Sequence, residues 1–215
     1  MRWPALAVLL AAAACVSRTP FADTDYPGTL LPAGSLPHDL VWQQRVTAAW
    51  GLMRGDPEHR GERGFDAAIQ KQGDVLTVVG LSPLGSVGFT LKLDNTTLSV
   101  RNDSGEDLPF PARFVLLDVQ RTFYPWLGAP LKNGTRSGPV FDEDVTETWA
   151  DGRLVERRFA RRDGKPAGAI TITYDWIGID PTGHGPRRAV LHNDWFDYRL
   201  TVDIHAETKL SPPSK

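Results

Sequence analysis

Apolar and polar residues alternate with a period of two through most of this chain. The cleanest stretch is "SVGFTLKLD", where Val87, Phe89, Leu91 and Leu93 fall on one side and Gly88, Thr90, Lys92 and Asp94 on the other. Successive side chains of a strand point to opposite faces, so this pattern predicts a half-buried strand. "VLTVVGLSP", from Val75, precedes it as a buried-looking run, and "TTLSVRN" follows a turn at Asp94 and Asn95. The three segments read as an antiparallel meander.

The last third repeats the theme. "TETWADGRLVERRF" carries Asp151-Gly152, a hairpin-turn pair, and "RDGKPAG" marks a second turn. "AITITYDWIG" puts Ile170, Ile172, Tyr174 and Trp176 on one face, "GIDPTGHGP" is a loop, and "WFDYRLTVDIH" puts Phe196, Tyr198, Leu200, Val202 and Ile204 on one face. Nearer the start, residues 40–52 fit two patterns. Leu40, Trp42, Val46, Ala48 and Trp50 alternate as in a strand, while Val41, Ala48, Ala49 and Leu52 suit a helix. Residues 55–64 are charged and turn-prone, and 65–72 form a further strand candidate.

One segment switches to the helical period. In "PARFVLLDVQRTFYP", Phe114, Leu117, Arg121 and Tyr124 share a stripe; Pro111 suits a first turn and Pro125 a stop. Strands with one greasy and one wet face must cover the greasy one, and each large side chain buried contributes roughly 1.5–3 kcal/mol. There are more strands here than one helix can flatly cover. The expected fold is therefore mainly β: a curved antiparallel sheet, or half-open barrel, wrapped around at least one helix.

The two ends differ from this middle. Met1-Arg2 opens with a positive charge, and residues 6–14 are apolar and small. About ten such residues rise roughly 15 Å as a helix, half of a bilayer core of ~30 Å, so they read as a signal-peptide core. They close on Cys15, the single cysteine, which cannot form an intramolecular disulfide. Ala13 and Ala14 before a cysteine fit a lipoprotein cleavage site, with Ala12 where leucine is usual; the same letters satisfy the A-x-A rule of ordinary secretion. Lipidation explains the cysteine and secretion alone does not. The expected organisation is a signal peptide over 1–14, lipidated Cys15 with a Pro/Gly/Ser-rich tether over 15–37, a domain over 38–208 and a frayed tail over 209–215.

Composition narrows the function. A net charge of -2 with both signs interspersed argues against a nucleic-acid partner. The five histidines, His38, His59, His184, His192 and His205, have no tight ligand spacing, so neither metal nor cofactor is called for. "GLSPLG" places its second glycine one residue late for a nucleophile elbow; Ser82 reads as a turn residue, and a triad with His192 and Asp194 has residue types alone in its favour. The acidic run 142–144 reads as a solvated turn. Arg157, Arg158, Arg161 and Arg162 read as the outer face of a hairpin, with a lipid-phosphate contact as the alternative. Trp149, Trp176, Trp195, Phe196 and Tyr198 read as strand residues, forming either a packed core or the wall of a cavity.

"QQRVTAAWG", "DVLTVVGLSPLGSVGFTLKLD", "FVLLDVQRTFYPW" and "LHNDWFDYRLTVDI" resemble, in this order, an uncharacterised bacterial lipoprotein family, a domain of unknown function found in proteobacterial lipid and aryl-polyene gene clusters. The layout around Gly80–Gly85 also resembles the lipoprotein receptor LolB and its soluble carrier LolA. The resemblance implies a strand for 41–50 and an unclosed barrel with a helical lid over an apolar cavity. The expected ligand-binding residues are Val79, Phe89, Leu91, Trp176, Tyr198 and Leu200 on the wall and Phe114 and Leu117 on a lid that runs from Phe114 to Phe123. The expected protein is non-catalytic. It binds an acyl-chain ligand or a lipoprotein, meets a periplasmic carrier protein, and is held at the outer membrane, facing the periplasm, by lipid on Cys15. Val16 after the cysteine resembles an outer-membrane address. The alternatives are a scaffold with a filled barrel and an enzyme acting on an envelope lipid or polyketide.

Overall fold

Strands β1 (Leu40–Trp50), β2 (Gly61–Gln72), β3 (Val75–Leu81), β4 (Val87–Asp94) and β5 (Thr97–Asn102) run as one antiparallel meander. The computed structural model describes residues 26–52, 60–82, 84–105, 108, 110–177 and 183–211. Helix α1 (Ala112–Phe123) comes next. A second meander follows: β6 (Gly134–Val140), β7 (Glu143–Ala150), β8 (Arg153–Arg161), β9 (Ala169–Asp175), β10 (Arg188–Asn193) and β11 (Tyr198–Lys209). β1 then pairs with β11, Leu40 opposite Lys209 and Trp50 opposite Tyr198. The two meanders fuse into one sheet of order β5-β4-β3-β2-β1-β11-β10-β9-β8-β7-β6.

This order dictates where the helix lies. The chain winds from the centre of the sheet out to the β5 edge, then resumes at the opposite edge, β6, and winds back. The connection between them must cross the whole sheet, and α1 lies in it. Among the described strands, β5 and β6 stay unpaired with each other, so the curved sheet remains open. Pro111 supplies the residue before the helix, and Tyr124, extended before Pro125, ends it. Two clusters fill the greasy face on either side of α1. Phe114 and Leu117 join Val145, Phe159, Ile170, Ile172 and Leu191 in one, and Leu116 joins Leu40, Trp42, Ile69, Leu76, Leu91 and Leu93 in the other.

The alternation over 87–94 holds for Phe89, Leu91 and Leu93, but Val87 is exposed. The β3–β4 pairing slips at Gly80/Leu81, and the slip turns the strand end outward. Asp151 and Gly152 both have positive φ, 50° and 75°, and close the β7–β8 hairpin as a two-residue turn. Residues 61–64, expected as turn, begin β2; both faces are wet there, so they lack the apolar half of a strand pattern. Trp176 follows β9, and Trp195 and Phe196 form the turn before β11, so these three leave the strands to which the sequence pattern assigned them.

The largest departure is at the start of the domain. Residues 26–36, expected as tether, form a strap packed against α1. Tyr26, Ala33 and Leu36 are buried, the last two in and after a short 3-10 helix (Ala33–Ser35). Polar side chains of α1 take up the strap's backbone groups. Gln120 accepts from Leu31 N at 2.8 Å and donates to Leu31 O at 2.7 Å, Arg121 donates to Pro27 O, and Arg113 donates to the carbonyls of Tyr26 and Gly28. Composition marks the segment as loop, but these partners lie some ninety positions away. The helix is thus buried nearly all round, Asp118, Gln120 and Arg121 included.

Candidate functional site

The backbone of α1 stands off from the strands, and side chains bridge the gap. They do not fill it. An apolar cavity of about 70 Å³ lies between the helix and the centre of the sheet. β1 contributes Gln44, Val46 and Ala48 to it, β2 Phe65 and Ala67, β3 Val78 and β4 Phe89. β10 adds Ala189 and Leu191, and β11 adds Tyr198, Leu200 and Val202. The helix closes it with Phe114, Val115, Asp118, Val119, Thr122 and Phe123, and Phe110 stands at the end before the helix. Small residues on the central strands make the hollow, and rings from the rim narrow it. Gly80 has a specific part: a Cβ there would come within 2.1 Å of the Phe89 ring, so only glycine lets that ring lie flat.

Four of the eight expected wall and lid residues meet here: Phe89, Phe114, Tyr198 and Leu200. Val79 does not. β3 presents Leu76, Val78 and Gly80 inward, and Val78 takes the place on the wall. Leu91 is fully buried in the filled cluster beside β3 and β4, and Leu117 is fully buried on a side of α1 that turns from the hollow. Trp176 lines a separate groove of about 480 Å³, rimmed by Trp149, Arg157, Glu147, Tyr174 and His184. Cys15 lies outside the described residues. Gln44, Val46 and Ala48 were legible as the inward period of β1. Phe123 falls within the expected lid, but Asp118 was not legible, because a helix buried all round has no polar stripe to set its phase.

Hydrogen bonds hold α1 along its length, through Arg113 in its first turn and Asp118 near its middle. At its C-terminal end, Arg157 donates to the carbonyls of Arg121 (2.6 Å) and Thr122, the Tyr174 hydroxyl to Thr122 O (3.0 Å), and the Trp126 indole to Gln120 O (3.0 Å). These satisfy carbonyls that a helix end leaves bare and set a cation against its negative pole. Arg157 is itself buried and paired with Glu147 at 2.8 Å, so it is not on the solvated outer face of the hairpin where the sequence pattern put it. Glu143, expected in a solvated turn, is buried as well and meets Arg121 at 2.7 Å. At the N-terminal end no side chain caps the helix.

Asp118 is the carboxylate on the cavity wall. The hydroxyls of Tyr26 and Tyr198 each donate to it at 2.5 Å, and Asn193 donates to Tyr26. Burial pushes its pKa up to about 6, against the pull of Arg121 and of the two hydroxyls. Burial, with the neighbouring Asp118 charge, also raises both phenols well above their usual range. The folded state thus prefers neutral Asp118, and this preference is lost as pH rises from about 4 through about 6. Asp118→Asn, which cannot ionise, should gain stability relative to the parent by about 3 kcal/mol between pH 4 and pH 7. Urea unfolding of both proteins across that range measures it, and a flat difference would remove the assignment.

Other candidate chemistry is structural. Ser82 Oγ lies 2.8 Å from Ser86 Oγ and accepts from Leu84 N, which makes a turn, with Leu84 at its tip 96% exposed. Asp194 Oδ2 accepts from Ala169 N. Among the described residues no cluster of three or more His, Cys, Asp or Glu has the arrangement of a metal site, and no helix is long and apolar enough to cross a membrane.

A family model described as a protein of unknown function, DUF3261, matches residues 41–206. No curated protein matches the chain. Among solved structures it is similar to a LolA superfamily protein from Nitrosomonas europaea, at 14% identity and a TM-score of 0.46, over 86% of this chain and 96% of that one. It is similar also to a putative outer membrane lipoprotein-sorting protein domain from Vibrio parahaemolyticus (10% identity, TM-score 0.43, covering 83% and 88%). A third is LprF from Mycobacterium bovis (14%, TM-score 0.35, covering 84% and 91%).

Proposed function

We propose that this chain, which belongs to the DUF3261 family, is a non-catalytic binding protein for an acyl chain, free or carried by a lipoprotein. One observation carries the reading: the hollow under α1, walled by aliphatic and aromatic side chains. Each CH₂ buried there contributes about 0.8 kcal/mol. The hollow of about 70 Å³ is far below the ~300–1,000 Å³ of pockets that enclose whole ligands. It is the closed form of the site. The chain enters as α1 moves off the sheet.

The address rests on the sequence. Lipid on Cys15 holds the domain at the outer membrane, facing the periplasm, and residues between it and Tyr26 let the domain meet a carrier protein. One acyl chain anchors marginally, two or three firmly. Native mass spectrometry of the purified full chain should show bound acyl species, and the full chain should take up cis-parinaric acid. A protein that comes through empty and takes up none refutes the binding reading. Cys15→Ser should move the protein from the membrane fraction to the soluble periplasm; retention in membranes would refute the anchor and leave the binding site untouched.

A further inference from the structure

β1 presents five residues to the greasy face in its first nine positions: Leu40, Trp42, Gln44, Val46 and Ala48. Four are apolar. Gln44 lines the cavity, is 5% exposed, and its Oε1 has no hydrogen-bond partner among the described residues. The charged group on the same wall is already served, since both oxygens of Asp118 accept from tyrosine hydroxyls. An amide carbonyl cut off from water and left without a donor is costly, and folded proteins leave few of them. An aliphatic residue at position 44, like those at 46 and 48, would remove that cost. The backbone is also irregular at this point. The register of β1 with β11 slips between Gln43, opposite Ala206, and Gln44, opposite Ile204. Such slips re-aim side chains, and this one lies on the central pair of the sheet.

We infer that the occupant of the cavity carries a hydrogen-bond donor on its hydrocarbon chain, a hydroxyl or an amide N–H, and that Gln44 Oε1 receives it. The inference rests on the acyl-chain reading and names its substrate class: hydroxylated or amide-bearing chains over plain ones. A plain chain seals the orphaned carbonyl away from water; a chain with a donor satisfies it. A site built to receive a donor rejects the analogue that lacks one more strongly than an apolar site rejects an added group.

The test is displacement of cis-parinaric acid from the full chain by 3-hydroxytetradecanoate and 12-hydroxyoctadecanoate, each against its unsubstituted counterpart. The parent should prefer at least one hydroxylated chain by about tenfold. Gln44→Leu should abolish that preference, bringing the ratio of hydroxylated to plain affinity to about one. Gln44→Met, closer in shape, serves if the leucine variant does not fold. Equal binding of hydroxylated and plain chains by the parent, or a preference that survives both substitutions, overturns the inference and leaves the acyl-chain reading standing. Failure of the parent to take up cis-parinaric acid at all is the separate result that defeats that reading, and the inference with it.

Discussion

Arg121→Met should lower the unfolding free energy by about 3–5 kcal/mol, measured by urea denaturation at neutral pH. Arg121 is fully buried. It donates to Glu143 Oε1 and to Pro27 O, both at 2.7 Å, and its guanidinium packs against the rings of Tyr26, Phe159 and Trp195 at 4.8–5.5 Å. Removing it strands a buried carboxylate, whose pKa burial already raises against the pull of Arg121. It also frees the strap at Pro27. Most of the loss belongs to the stranded charge, so adding Glu143→Gln to Arg121→Met should restore more than half of it. A double variant no more stable than the single one would show that ring packing and the strap, not the ion pair, set the cost.

Val46→Phe should abolish acyl-chain uptake, by more than tenfold, and leave the fold intact. Val46 faces the hollow from the central strand, and a ring there occupies space that no side chain holds. Overpacking a filled core usually costs 1–3 kcal/mol, and a void nearby brings this cost down. Leu91→Trp is the control. Leu91 is fully buried and is not on the wall of the hollow, so the larger side chain there should lower the melting temperature first. Uptake of cis-parinaric acid and thermal unfolding, read together on both variants, separate the two effects. If Val46→Phe binds as the parent does, the hollow is not the site.

The strands with one wet and one greasy face were legible residue by residue. Phe89, Leu91, Leu93, Tyr198 and Val202 alternate because water lies on one side of them and α1 on the other. Strands with water on both sides were not. β6 has little buried surface in Gly134–Val140, and the first turn-like residues of β2 are exposed on both faces. Neither has an apolar period to betray it. The ionic interior was hidden for another reason: Arg121 and Glu143, or Arg157 and Glu147, look like surface charges until the fold brings each cation to its anion. Glu143 in particular follows Phe141, whose φ of 53° turns the chain so that the acid points inward. A hollow is the least legible feature of all. The residues that wall it are those that would fill a solid core, and their spacing alone decides between the two.

A closed barrel is a pipe: its bore is set by strand number and shear, and cargo must thread through an end. Here β5 and β6 never meet, and Pro139 in β6 helps keep that rim from recruiting a foreign strand. The sheet is a cuff with a seam. On the acyl-chain reading proposed above, a hydrocarbon tail slips in sideways through a seam that widens by untwisting without breaking a ladder, and the bulky molecule attached to it stays outside.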